Sequence, residues 1–352
     1  MVDLDKDELK EKFHQQYPNV FYLTLDDFDG LQHYLRQRGW IEADEEIILI
    51  EKPGEGNMNM VVRVLTGRKK VIIKQARPWV QKYPQVAAPV VRTASEAAFY
   101  QLIADQPVLQ EATPELVGFD SEQFMLALED VGEGSDYTHL YQKDSSITPE
   151  EISVLVKFIS RLHHIRSDEQ SVAFPDNQEM KELNHEHIFN FPFQEENGFN
   201  LDDVQLGFQE ISLPYKQDEE LKAKITQLGQ RYLATGTTLL HGDYYPGSWL
   251  KTTTGVCIID PEFAFMGDPE FDLGVMIAHL TMAQSEPEII QQVIEEYEQP
   301  GGYNNSLRQA FSGVEILRRI IGLAQLPLPL SLNEKRELLA QAAEWVLQYQ
   351  ES

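Results

Sequence analysis

The feature that most constrains this chain is a change of texture along it. Its first third carries short β-branched runs, "EEIILIEK", "MNMVVRVL" and "KKVIIKQA", broken by "PGEGN" and "TGR". Such runs suit a pleated, half-buried surface, and the glycine-rich breaks suit turns, so they predict a three-stranded antiparallel meander. "RTASEAAFYQLIA" has helical period, and "QFMLALEDV" is one more apolar strand. Ahead of them, "LTLDDFDGLQHYLRQRGW" predicts a helix with Thr24 as N-cap, Asp27 three residues on, and Gly39 closing it. The polar, turn-rich "GEGSDYTHLYQKDSS" marks a boundary, giving lobes over 1–131 and 132–352. Beyond it the period becomes helical. Thr148, Pro149 and Glu151 of "TPEEISVLVKFISRLHHI" form a strong helix start, and 286–352 is helical again. Residues 166–220 read as irregular and polar. Strands first and helices after predict an α+β fold of two lobes, an arrangement whose clefts bind ligands.

The chain's 352 residues include 42% hydrophobic ones, enough for sizeable cores. A formal net charge of −28 argues against nonspecific nucleic-acid binding and against anionic membranes, since both would repel it. It also means that an anionic ligand needs local cations or a metal. The opening "MVDLDKDELKEKF" is charged and has no apolar signal core, and no apolar run is long enough to span a bilayer. The lone Cys257, inside the apolar "GVCIID", excludes an internal disulfide framework. Together these predict a cytoplasmic protein, with a homodimer compatible with the sequence.

Several constellations carry chemistry. In "PGEGNMNMVVRV", Gly54 and Gly56 occupy the turn between two strands, where backbone amides can approach phosphate oxygens without an intervening Cβ. A dinucleotide fingerprint would need a third glycine where Asn59 stands, and no GxxxxGK[ST] loop is present. Taken alone, this stretch reads better as a plain hairpin turn. Lys74 ends a strand, and Glu96 lies in the first turn of a helix, where a capping box with Thr93 would account for it. A Lys74–Glu96 pair would instead aim an ammonium at a phosphate. The central set is Asp243, Ser248, Asp260 and Glu262. "LLHGD" and "VCIIDPEF" read as two apolar runs of one hairpin, with Asp243 and Asp260 at neighbouring ends. One of these two carboxylates would orient a hydroxyl and accept its proton, while the other, with Glu262, holds Mg²⁺ on nucleotide phosphates. "LNHEH" and "HGD" also contain pieces of a metallophosphatase motif, but in the wrong order.

"HGDYYPGS…IIDPE…GDPEFDLG" resembles the aminoglycoside phosphotransferase and choline kinase-like family, which has the bilobal protein-kinase-like fold. Within it, "GEGNMNMVVRV", "IIKQARPWV", "IDPEFAF" and "RRIIGLA" are similar to stretches of methylthioribose kinases, in the same order. The resemblance implies a small antiparallel-sheet N-lobe, a larger helical C-lobe, and ATP and Mg²⁺ as cofactors. It implies transfer of a phosphoryl group to a small-molecule hydroxyl, 5-methylthioribose or a related sugar, with an aminoglycoside- or choline-type alcohol as the alternative. A catalytically silent nucleotide-binding protein is a further alternative. By position, His241 and Asp243 fall on the catalytic loop, with Asp243 as base. Gly54, Gly56, Asn57, Asn59, Lys74 and Glu96 fall on the nucleotide side, as do Glu129 and Val131 at the adenine hinge. Asp260, Glu262 and Ser248 fall on the metal side, and Asp272 on a carboxylate that braces the loop. Arg318, Arg319, Tyr244 and Tyr245 fall at the acceptor. The loop departs from methylthioribose kinases at "YYP", which lines the acceptor pocket. The arginines, of which only one need enter the site, tilt the expectation toward a neutral sugar.

Overall fold

A computed structural model describes residues 6–54, 56, 58–167 and 173–351. The fold is α+β, in two compact units, Met1–Gly132 and Glu133–Ser352.

The N-terminal unit opens with α1 (Lys6–Gln16) and α2 (Phe28–Gln37). The cap of α2 is Asp27, which accepts from the Gly30 N–H at 2.9 Å, and not Thr24 as its spacing suggested. Asp27 wins because its carboxylate reaches the first-turn amides directly. Strands β1 (Ile47–Glu51), β2 (Met60–Thr66) and β3 (Lys70–Gln75) form the expected meander. A short hairpin, β4 (Trp79–Val80) and β5 (Tyr83–Ala87), precedes α3 (Arg92–Ile103) and α4 (Pro107–Gln110). Strands β6 (Leu116–Asp120) and β7 (Met125–Glu129) complete a five-stranded antiparallel sheet in the order β1-β2-β3-β7-β6. Alternation decides its faces. Val62 and Val64 of β2 stand opposite Ile73 and Val71 of β3, and all four bury against Leu31 and Leu35 of α2.

The C-terminal unit begins with β8 (Gly134–Asp136) and α5 (Pro149–His163). The box at the start of α5 is formed in both directions, between Thr148 Oγ1 and the Glu151 N–H and between Glu151 and the Thr148 N–H. The 166–220 stretch is more regular than its polarity suggests. It holds α6 (Gln178–His185), a π-turn over Glu186–Asn190 and α7 (Phe208–Gln217), followed by α8 (Glu219–Leu233). Strands β9 (Thr238–Leu240), β10 (Trp249–Thr252), β11 (Gly255–Ile258) and β12 (Phe265–Gly267) come next. "LLHGD" and "VCIID" are not partners in one hairpin: β9 pairs with β12, while β11 pairs with β10, which also pairs with β8. The two-residue turn between β10 and β11 makes these two strands a local hairpin, and β9 pairs with the strand beyond it. Helices α9 (Glu270–Met282), α10 (Pro287–Glu296), α11 (Asn305–Ile321) and α12 (Leu332–Leu347) complete the unit. Phe271 and Val275 of α9, Phe311 and Val314 of α11, and Leu339 and Val346 of α12 share one core. Where α9 meets α11, a Cβ on Gly274 would lie 2.9 Å from the Arg308 carbonyl, so the helices touch backbone to backbone.

Candidate active site

The site is built on the turn that follows β9. Gly242 stands at φ +82°, and a Cβ there would run into the Phe263 carbonyl, so only glycine fits. Asp272, in the first turn of α9, accepts from two successive amides of this turn: His241 N at 2.6 Å and Gly242 N at 3.0 Å. Behind it, His163 Nε2 lies 3.3 Å from Asp272, and His163 Nδ1 lies 2.6 Å from the Tyr297 hydroxyl. Burial holds the His163 pKa down, so the ring is neutral. The fully buried His241 bonds the Ile259 carbonyl through Nε2 at 3.0 Å. Its Nδ1 accepts from the Asp243 N–H at 3.4 Å, which assigns the proton to Nε2. His241, placed on the catalytic loop, hydrogen-bonds so as to brace it. Ser248 Oγ donates to the Asp243 carbonyl at 2.8 Å, so its proton belongs to the loop backbone.

This scaffold presents the Asp243 carboxylate, about a quarter exposed, 3.7 Å from Arg319 Nη2. Burial pushes its pKa up to about 6, against the pull of Arg319 and Arg318, while Glu315 and Asp260 add to the rise. The two tyrosines after it diverge. Tyr244 is a correction to the expected acceptor wall. It is fully buried, stacks on Phe158 and donates to the Leu155 carbonyl at 2.8 Å, so it belongs to the core. Tyr245 lies under the Arg319 guanidinium, 4.9 Å from it, and beside the His279 ring. Arg318 and Arg319 do not part as helix neighbours ordinarily do. Both are buried, and both donate through Nε to Glu315, at 2.6 and 2.8 Å.

Asp260 stands at φ +63°, an unusual conformation for a non-glycine residue, and starts a tight turn that buries Glu262. Asn177 Nδ2 holds that turn through the carbonyls of Glu262 and Ala264, both at 2.9 Å. Among the described residues, no three of His, Cys, Asp and Glu converge as a metal cage. Two hard carboxylates in one turn fit Mg²⁺ that takes its remaining ligands from phosphates and water. The histidines of "LNHEH" are packing residues: His185 stacks on Phe189, and His187 tilts against Phe191.

In the N-terminal unit, Lys74 and Glu96 pair at 2.6 Å and are both buried. The capping box with Thr93 does not form; the Thr93 hydroxyl donates to the Val90 carbonyl. Space at Gly54 is open, and a Cβ at Gly56 would lie 3.3 Å from the Asn59 carbonyl. Asn57 lies outside the described residues. Asn59 is buried, and its Oδ1 accepts from Arg92 Nε at 2.8 Å. Glu129 ends β7, with its amide on the Glu115 carbonyl, and Val131 follows in the segment to Gly132. Arg63 braces that segment through Asp130, at 2.9 Å, and through the Gly132 carbonyl.

The profile of the phosphotransferase enzyme family matches residues 50–307, well over half of the chain. The chain belongs to this family. A methylthioribose kinase of Exiguobacterium sibiricum is 27% identical over 260 residues, covering 68% of this chain and 62% of that protein. One from Bacillus cereus (strain G9842) is 27% identical over 274 residues, covering 74% and 67%. The chain thus spans about two thirds of the length of these relatives. A choline kinase from Cryptosporidium parvum Iowa II shares the fold, with TM-score 0.55, 14% identity, and coverage of 92% and 95%.

In this phosphotransferase-family chain, several residues that organise the site went unread in the sequence. Glu315 precedes the arginine pair by three and four residues, a spacing that signals a helix-face ion pair. Arg92 donates to the Asn59 side chain and to the carbonyls of Met58, Arg77 and Pro89, fastening the glycine-rich turn to α3. Nothing local announced His279, Asn177 or Tyr141, because each finds its partner across the fold.

Proposed function

We propose that this chain is an ATP- and Mg²⁺-dependent kinase that phosphorylates a hydroxyl of a neutral, sugar-like acceptor of the methylthioribose class. The observation that carries the reading is the Asp243 carboxylate, fixed through its own backbone and facing Arg319. In the proposed reaction the acceptor hydroxyl donates to Asp243 as its oxygen forms the bond to the γ-phosphorus. The bond from that phosphorus to the bridging oxygen of ADP breaks in line, and Asp243 takes the proton. A pKa near 6 suits this task, because the carboxylate is ionised at neutral pH yet basic enough to accept. Asp260 and Glu262 would hold the Mg²⁺, which when bound neutralises phosphate charge. Lys74, steadied by Glu96, would meet the nucleotide phosphates.

The choice of a neutral acceptor is supported by charge balance. Arg318 and Arg319 face Glu315 and Asp243, two cations against two carboxylates. A cationic aminoglycoside or choline would want carboxylates or an aromatic cage not already spoken for. ADP release with a panel of methylthioribose, other sugars, aminoglycosides and choline tests the reading. Turnover confined to the cationic acceptors would refute the neutral-sugar assignment. Binding of Mg·ATP with no release on any acceptor would refute the kinase itself.

A further inference from the structure

Successive residues of a helix leave its axis about 100° apart, so adjacent arginines ordinarily serve different surroundings. On α11 they are drawn to one carboxylate. Arg318 Nε donates to Glu315 Oε2 and Arg319 Nε to Glu315 Oε1, so each oxygen takes one guanidinium by its inner edge. Glu315 is in turn held from α9, where His279 Nε2 lies 2.9 Å from Oε1. Burial lowers the His279 pKa to about 4, leaving a neutral ring with a single N–H. A carboxylate only accepts, so the proton is on Nε2. His279 Nδ1 must then accept, and the Tyr141 hydroxyl at 2.5 Å is the donor. The order of donation is therefore Tyr141 to His279 to Glu315, and both arginines meet at its end.

We infer that Glu315, backed by His279 and Tyr141, is a positioning residue for the proposed transfer. It gathers both guanidinium groups by their Nε edges and keeps the terminal nitrogens of Arg319 on the Asp243 side, where the acceptor is oriented. The part concerning the acceptor rests on the reading of Asp243 as base; the gathering of the arginines does not. Glu315 touches neither reacting atom in this scheme. Its effect is specific to the acceptor, since nucleotide phosphates are assigned to other groups.

The test is Glu315→Gln in the full chain, with Tyr141→Phe as a milder variant of the same order of donation. Nitrogen-15 NMR of the arginine side chains, with Arg318→Lys and Arg319→Lys for assignment, reads the Nε–H groups without any substrate. In the wild type both should exchange slowly with water. In folded Glu315→Gln, exchange should speed up about ten-fold or more, with a rise of similar size in the KM for the acceptor and an unchanged KM for ATP. Tyr141→Phe should shift both readings the same way by roughly three-fold, and it decides the matter if Glu315→Gln does not fold. Unchanged Nε–H exchange in whichever variant folds overturns the inference. So does a KM for ATP that rises in step with that of the acceptor. If the wild type turns over no acceptor, the functional reading fails, while the NMR result still decides whether Glu315 gathers the two arginines.

Discussion

Asp243 costs the fold something at neutral pH. Its carboxyl has a pKa of about 6 in place of an ordinary 3.8, so the folded chain holds that proton more tightly than the unfolded chain. The stabilisation this gives is complete below about pH 4 and is lost as the pH rises through 6. Asp243→Asn keeps the shape and removes the charge. It should therefore raise stability by about 1–3 kcal/mol at pH 7.5, with the advantage shrinking toward pH 4. Thermal melts across pH in chelator-containing buffer check this, and an advantage that grew toward acid would contradict it. The same variant should lose roughly 10²- to 10⁴-fold in kcat, measured as ADP release. Tyr244 and Tyr245 provide a second contrast at this scale. Tyr244→Phe removes the side-chain donor to the Leu155 carbonyl and should lower stability by about 1 kcal/mol, with the acceptor KM unchanged. A shift in that KM would return Tyr244 to the acceptor wall.

Among the elements, α5 and the β9 turn respond differently to damage. Thr148→Ala removes one half of a reciprocal cap and should cost about 1 kcal/mol in melting experiments, with kcat/KM unchanged. Gly242→Ala forces a Cβ into the Phe263 carbonyl at a positive φ. It should cost about 2–4 kcal/mol and abolish the proposed ADP release although Asp243 is untouched. Equal activity losses in the two variants would contradict the division. The legibility of the elements follows the same line. The meander and the start of α5 could be read because alternation and capping are local signals, complete within ten residues. The pairing of β9 could not, because its partner β12 lies beyond the β10–β11 hairpin, outside any local signal. In 166–220, Lys181 and Lys216 are buried despite their charge, so a polar sequence there does not mark a solvated surface throughout. At the site, the buttresses behind the motif residues could not be read in the sequence. Asp272 was placed by resemblance, whereas His163 and Tyr297 behind it, and His279 behind Glu315, are joined only by folding.

Over the whole molecule, a net charge of −28 sets the response to salt. The arginines near Asp243 are buried and little screened, while most of the excess carboxylates are solvated and repel one another. Raising NaCl from ~10 to ~150 mM should therefore raise the Tm by about 2–5 °C, as screening relieves that repulsion. A Tm that falls with salt would mean that surface ion pairs dominate instead. Each unit keeps its own core, and in the C-terminal unit two helices carry the machinery between them: α9 bears Asp272 and His279, and α11 bears Glu315 and both arginines. Gly274 lets those helices meet backbone to backbone. That contact works as a calibration point. A larger residue there would widen the gap between the loop that carries Asp243, the proposed base, and the arginines opposite it, although neither had changed. A lineage seeking room for a bulkier acceptor has in position 274 a single dial to turn.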